Sequence, residues 1–217
     1  MHPTCKMAYS VGVLYIAYGE PAIREAEQSI TTLRIFHDWQ VISVGEGGKF
    51  PPNADYLDWP DTSGGYPGRF AKVSLPSISP FDLTLFIDAD TRVRSGALSV
   101  GFDILRGGWD MVMVASQFGL SHLSGEDETY TLDSLPHKEP LQINTGVIWF
   151  RKTPDVIKFF AEWRKEWKRF KHRDQGAFLR ALYRSPVKLF LLGYPFNSSA
   201  GAVVNHRFGQ ADRGCKK

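Results

Sequence analysis

Two aspartates, Asp88 and Asp90, stand with only Ala89 between them, directly after the mostly apolar run Leu83–Ile87 (LTLFI). Two carboxylates brought to one point repel each other, and one pKa must rise unless a cation compensates. A hard divalent ion with oxygen ligands meets that need, and a diphosphate can complete its coordination. Such an ion acts as a Lewis acid on a phosphate leaving group. An Asp-x-Asp string can also simply open a solvated loop. A surface loop, however, does not call for a buried strand immediately before it.

Both side chains reach a common point only if the backbone turns as it leaves that strand, so the elements around it matter. Val11–Ala17 (VGVLYIA) is nearly continuous in apolar residues, as in a strand covered on both faces. Pro21–Leu33 reads as a helix and Val41–Val44 as a short strand. Gly45–Gly65, rich in Gly, Pro, Asn and Asp, reads as a long irregular connection. A short helix is expected over Arg69–Leu75, ended ahead of Pro76 and Pro80. Ala97–Leu105 is expected to be helical and Met111–Ala115 extended. Ser116–Leu141 shows no clear period and reads as a second long loop, able to close over a ligand. Gly146–Phe150 is a strand, after which Thr153 caps a helix with Pro154 in its first turn. In that helix Val156, Phe160, Trp163, Trp167 and Phe170 repeat at helical spacing and form one buried stripe. Asp174–Tyr183 follows as a helix and Val187–Leu192 as a last short strand.

This alternation predicts an α/β fold with a mainly parallel central sheet flanked by helices. One domain is expected over residues 1–217, with 1–9 a flexible amino-terminal segment. Ligands of such sheets bind beyond the carboxyl ends of the strands, where Asp88 and Asp90 fall. An apolar content of 43% and a charged content of 23% exclude a disordered chain. The two cysteines, Cys5 and Cys215, lie at opposite ends, which argues against a disulfide framework or a thiolate metal cluster. No apolar run approaches the roughly 20 residues needed to cross a bilayer. Met1–Ser10 lacks the apolar core of a secretion signal, so a cytoplasmic location is expected.

Ser79–Val93 (SPFDLTLFIDADTRV) resembles the nucleotide-binding core of GT-A glycosyltransferases. Ile143–Ile148 (INTGVI) is similar to their Asn-x-Gly element, and Arg173–Gly176 (RDQG) to their Asp-Gln helix start. His206, after the apolar Ala202–Val204, resembles the late histidine that completes their metal site. The order of these pieces is closest to the retaining branch that includes glycogenin-like and bacterial galactosyltransferases, and it spans the chain from Val11 to His206.

The resemblance implies a hexosyltransferase that takes a nucleoside-diphosphate sugar, with a UDP-sugar favoured. It implies Mn2+ or Mg2+ held by Asp88, Asp90 and a neutral His206, and mixed oxygen and nitrogen ligation suits manganese better. Ala17, Tyr18 and Gly19 would receive the nucleotide, Tyr18 by stacking on the base and Gly19 by allowing close backbone approach. Ala89 would join the donor site between the two acids. Arg69 and Lys72, one helical turn apart, would face the diphosphate or the sugar. Asn144 would sit beside donor and acceptor, and Asp174 with Gln175 would contact the sugar hydroxyls or the anomeric face. Plainer readings stand beside these: a core or surface histidine at 206, a turn residue at 144, a helix cap at 174, a solvated face for Arg69 and Lys72, packing for Tyr18. The chain also departs from the family. A glycine, lysine and tryptophan usually follow the late histidine, whereas here Asn205–Gly209 (NHRFG) precedes Arg213 and Lys216 with no tryptophan.

Arg151–Arg173 carries nine lysines and arginines against Asp155, Glu162 and Glu166, a net +6 that leaves −3 for the rest of a +3 chain. A basic stretch beside the site suits an anionic acceptor, such as DNA carrying a hydroxymethylated base, or an anionic lipid or polysaccharide. DNA would further require a base to be extruded from its stack. A solvated helix face with interspersed acids is the plainer account. The resemblance of Arg173–Gly176 to the Asp-Gln helix start implies retention of configuration. No carboxylate is marked as a general base for inversion, although Glu126, Asp127 and Glu128 fall in the loop expected near the acceptor. Two other readings remain. Ile87–Thr91 (IDADT) also fits the nucleophile motif of haloacid-dehalogenase-like phosphatases, although two strands precede it and no later acidic pair completes it. A non-catalytic sugar-nucleotide or nucleic-acid binding module would bind tightly without turnover.

Overall fold

The computed structural model describes residues 9–116, 125–171 and 173–211. Cys5, Cys215, Arg213, Lys216 and residues 117–124 of the second long loop lie outside them. Within the described residues the strands are β1 (Val11–Ile16), β2 (Gln40–Gly45), β3 (Asp55–Asp58), β4 (Leu83–Ile87), β5 (Thr91–Val93), β6 (Met111–Ala115), β7 (Ile143–Arg151), β8 (Leu189–Leu192) and β9 (Val204–His206). The helices are α1 (Glu20–Arg34), α2 (Pro67–Lys72), α3 (Leu75–Ile78), α4 (Val100–Arg106), α5 (Glu126–Ser134), α6 (Pro154–Trp167) and α7 (Gln175–Arg184). Seven strands form one sheet in the order β3-β2-β1-β4-β7-β6-β8, and β5 pairs with β9 in a separate two-stranded ribbon.

The large sheet is α/β and mainly parallel, as expected. Only β7 runs antiparallel, to both β4 and β6. Side chains alternate between its faces, so two cores form. Leu14, Phe86, Ile148 and Phe150 pack with the inward residues of α2, α3, α6 and α7. Val13, Leu85, Val147 and Trp149 pack with those of α1 and α4. A sheet covered on both faces needs apolar residues at every position, which is why the central strands read as continuous runs. No helix of the described residues is long and apolar enough to cross a membrane.

Several expectations are corrected. The connection Gly45–Gly65 contains β3, which extends the sheet by pairing with β2 from Ile42–Asp55 to Gly45–Asp58. As an edge strand it is bounded by acids and only half-buried, so no apolar run announces it. Pro76 does not follow the helix at 69–75 but opens a second one, α3, since proline fits a first helical turn. The helix expected from Ala97 begins as a 3-10 turn over Gly96–Ser99 and becomes α4 at Val100. The basic helix ends at Trp167, so Lys168–Lys171, with Phe170, lie in the turn beyond it.

The second long loop contains α5, whose sequence EDETYTLDS has almost no apolar stripe. Charge holds it instead. Arg180 of α7, 1% exposed, donates from Nη1 to Asp127 of α5 at 2.6 Å and from Nε to Glu166 of α6 at 2.9 Å. It also bonds the Thr131 hydroxyl of α5, while Arg184 and Arg169 complete the surroundings of Glu166. Burial pushes the Glu166 carboxyl up, but the hydrogen bond from Arg180 and the charges of Arg184 and Arg169 outweigh it and hold the pKa low. Such a carboxylate stabilises the fold above its unfolded pKa and loses that contribution as pH falls through the folded value. Arg180→Met, which strands Asp127 and part of Glu166, is expected to cost about 3–5 kcal/mol at neutral pH in urea denaturation. The gap from wild type should narrow below the ordinary carboxylate range; a loss under about 1 kcal/mol would show that the cluster is not what holds α5.

Candidate metal and nucleotide site

The chain turns as soon as β4 ends. The Asp88 amide donates to the Gly146 carbonyl of β7 at 2.8 Å, and the Thr91 hydroxyl lies 2.9 Å from the Asp88 carbonyl. That hydroxyl also meets Ser29 of α1, which in turn meets Tyr15 of β1, so a buried hydroxyl chain anchors the bend. β5 then pairs antiparallel with β9, setting Thr91 opposite His206. His206 Nε2 thereby lies 3.2 Å from Asp90 Oδ1 and 3.8 Å from Asp88 Oδ2.

One ligand atom from each of Asp88, Asp90 and His206 falls within 4.8 Å of the others. Gly146 makes the space. A Cβ at this position would strike the His206 ring and come within 2.8 Å of Asp88 Oδ2. Two carboxylates and an imidazole are donors that Mn2+ or Mg2+ accepts, so the residues present fit a divalent ion.

The electrostatics are those of an acid pair short of positive charge. Burial raises the Asp88 pKa, and the nearby Asp90 charge adds to this against Lys72 and His206. Burial acts on Asp90 too, but the His206 hydrogen bond and the Gln210 amide overcome it and hold Asp90 at about 2. Lys72 of α2 lies 2.8 Å from Asp88 Oδ1 and 3.4 Å from Asp174 Oδ2. Burial disfavours its ammonium, yet the charges of Asp88 and Asp174 prevail and raise its pKa.

Asp174 occupies the position before α7 but makes no capping hydrogen bond. Its Oδ2 accepts from the Thr145 hydroxyl at 3.0 Å and faces Lys72. Burial would raise its pKa, and the Lys72 and Arg69 charges with the Thr145 bond bring it below the usual range. The Arg69 side chain, one turn before Lys72, acts on Asp174 through its charge.

The remaining candidates lie on the same rim with contacts of other kinds. β1 runs parallel to β4 as its direct neighbour, so Ala17–Gly19 and Asp88–Asp90 leave the sheet side by side. Ala17 is buried, with its amide donating to Val44. The half-buried Tyr18 donates its hydroxyl to the Trp59 carbonyl at 2.5 Å. Gly19, at φ 78 and ψ 158, takes a backbone conformation that glycine alone adopts without strain. Ala89 is buried between the two acids. Asn144 Oδ1 accepts from the Gly146 amide at 2.9 Å, and Gln175 Oε1 accepts from Gln142 at 2.8 Å. Their polar contacts therefore run to their own strand and its approach, Asn144 through the Gly146 that borders the acid pair. Residues that the sequence reading missed surround this centre. The Gln210 amide donates to Asp90 Oδ2 at 3.1 Å, Phe208 stacks on His206 at 4.0 Å between ring centroids, and Asn197 meets His206 Nδ1.

No family model and no curated protein matches the chain. Solved structures do. An active-site mutant of LgtC aligns with a TM-score of 0.65 at 14% identity, over 91% of this chain and 87% of that one. Mouse xyloside xylosyltransferase 1 in its apo form aligns at 0.63 and 13% identity, over 91% of this chain and 97% of its own. The galactosyltransferase LgtC in complex with donor and acceptor sugar analogs aligns at 0.63 and 14% identity, over 91% and 87%. With the mixed sheet and the acid pair at its carboxyl rim, these likenesses assign the chain the GT-A glycosyltransferase fold.

Proposed function

We propose that the protein is a hexosyltransferase that moves a sugar from a nucleoside-diphosphate donor, with a UDP-sugar favoured, to a hydroxyl acceptor. The observation that carries this reading is the convergence of Asp88, Asp90 and His206 on one point, with the Lys72–Asp174 pair beside it. The similar folds belong to a galactosyltransferase and a xylosyltransferase, which agrees with sugar transfer.

Bound to the three ligands, Mn2+ or Mg2+ would offset the charge that grows on the departing nucleoside diphosphate. Arg69 and Lys72 add fixed positive charge there, where an ordered, partly dry setting strengthens it. Tyr18 and Gly19 would border the nucleotide. Asp174, which faces Lys72, and Gln175 next to it would meet the developing positive charge at the anomeric carbon, and Asn144 would border the acceptor. Retention is favoured by the Asp-Gln start of α7, and of the three acids near the expected acceptor side Asp127 is buried against Arg180.

An anionic acceptor, including hydroxymethylated DNA, is part of the same reading. Lys168 lies over the Phe70 ring of α2, Lys171 reaches Ser63, and Arg173 adjoins Asp174, so the basic turn after α6 flanks the site. The plainer solvated-face account holds for Lys165, which pairs with Glu162, while Arg169 turns to the buried Glu166. A cytoplasmic setting belongs to this reading as well.

Donors should be screened with Mn2+ and with Mg2+ by release of free nucleoside diphosphate. One donor is expected to show slow hydrolysis without acceptor, and the product's anomeric proton in NMR should report retention. Acceptor affinity should fall steeply with added salt. Tight donor binding with no turnover for any acceptor tried would instead identify a binding module.

A further inference from the structure

The segment Gly193–Ser198 leaves β8 through a short 3-10 turn, and nothing in its sequence marks it as chemical. Asn197 within it is nevertheless only 2% exposed, and its Oδ1 lies 2.8 Å from His206 Nδ1. Its Nδ2, also buried, has no hydrogen-bond partner among the described residues. An unpaired buried amide N–H is destabilising, so packing alone does not account for an asparagine here. Its oxygen does. A metal on Nε2 requires the ring hydrogen on Nδ1, and a carbonyl oxygen facing Nδ1 holds that tautomer and fixes the ring plane.

The rest of the ring's surroundings agrees. The His206 amide donates to the Ser198 carbonyl at 2.9 Å, so the backbone beside Asn197 is tied to the strand that carries the histidine. Phe208 covers one ring face, and the space over Gly146 admits the ring edge. Held this way, Nε2 turns toward Asp90 and Asp88.

We infer that Asn197 is a positioning residue of the metal centre, which selects the His206 tautomer and aims Nε2 at the ion. This rests on the proposed ligand role of Asp88, Asp90 and His206. The test is Mn2+ titration of chelator-stripped full chain, followed by calorimetry and by the electron-spin-resonance signal of free Mn2+, with and without UDP. Asn197→Leu should weaken Mn2+ binding by about 10–100-fold. Its metal-free Tm should stay at or above the wild-type value, because the orphan N–H is gone. Asn197→Asp, which keeps an oxygen facing Nδ1, should bind within several-fold of wild type. Wild-type affinity in Asn197→Leu overturns the proposal. Should that variant not fold, a loss of affinity in folded Asn197→Asp comparable to that of Asp90→Ala overturns it. A wild-type protein that binds no Mn2+ in either condition defeats the metal reading itself, and this inference with it.

Discussion

Asp90→Ala is expected to abolish metal-dependent release of nucleoside diphosphate, lowering kcat/KM by about 1000-fold or more, roughly 4 kcal/mol of transition-state stabilisation. Asp90 is the constant anion of the pair. Its pKa is held at about 2, with one oxygen toward His206 and the other accepting from the Gln210 amide. Asp88 is raised and already shares its charge with Lys72 at 2.8 Å. Without Asp90, only Asp88, whose charge is already shared with Lys72, and His206 are left to hold a divalent ion. The variant should keep the wild-type far-UV spectrum and lose any Mn2+-induced rise in Tm. Turnover within tenfold of wild type would place the chemistry somewhere other than this acid pair.

Gly146→Ala should damage the centre from the opposite side. The added methyl lands on the His206 ring and on Asp88 Oδ2, and neither is at liberty to yield. His206 is held by Asn197 and by its ribbon, and Asp88 by Lys72 and by its own amide on the Gly146 carbonyl. Overpacking a fixed site of this kind costs about 1–3 kcal/mol of stability. The larger effect is on ligand geometry, with Mn2+ affinity expected to fall by about 10-fold or more, as when the surroundings of a metal ligand are disturbed. Isothermal titration alongside thermal unfolding separates the two effects. Unchanged affinity with a lowered Tm would mean that the glycine serves packing alone.

Legibility in the sequence followed what stabilises each part. β1, β4 and β6 are covered on both faces, and burial writes itself into the residue types, so they were readable within a residue or two. β3 and α5 were not. One is held at an edge by backbone pairing, the other by ion pairs to Arg180, and neither needs an apolar pattern. The reversed direction of β7 was invisible as well, because a continuous apolar run looks the same read either way.

In the site, the acid pair was visible from spacing and from the strand before it. His206 was named only through resemblance, since a single imidazole near a short apolar stretch carries no signal of its own. Asn197 had none at all: after Pro195-Phe196 it reads as a turn residue, and only the pairing of β5 with β9 brings His206 into its reach.

That same pairing has a consequence for biosynthesis. Proteins emerge from the ribosome amino end first, so the acids at 88 and 90 are made long before the imidazole at 206. A nascent or clipped chain lacking β9 keeps the negative charges and has nothing to close them around an ion. The cluster of Asp88, Asp90 and His206 is thus complete only once a late strand docks, and its assembly requires the polypeptide through residue 206.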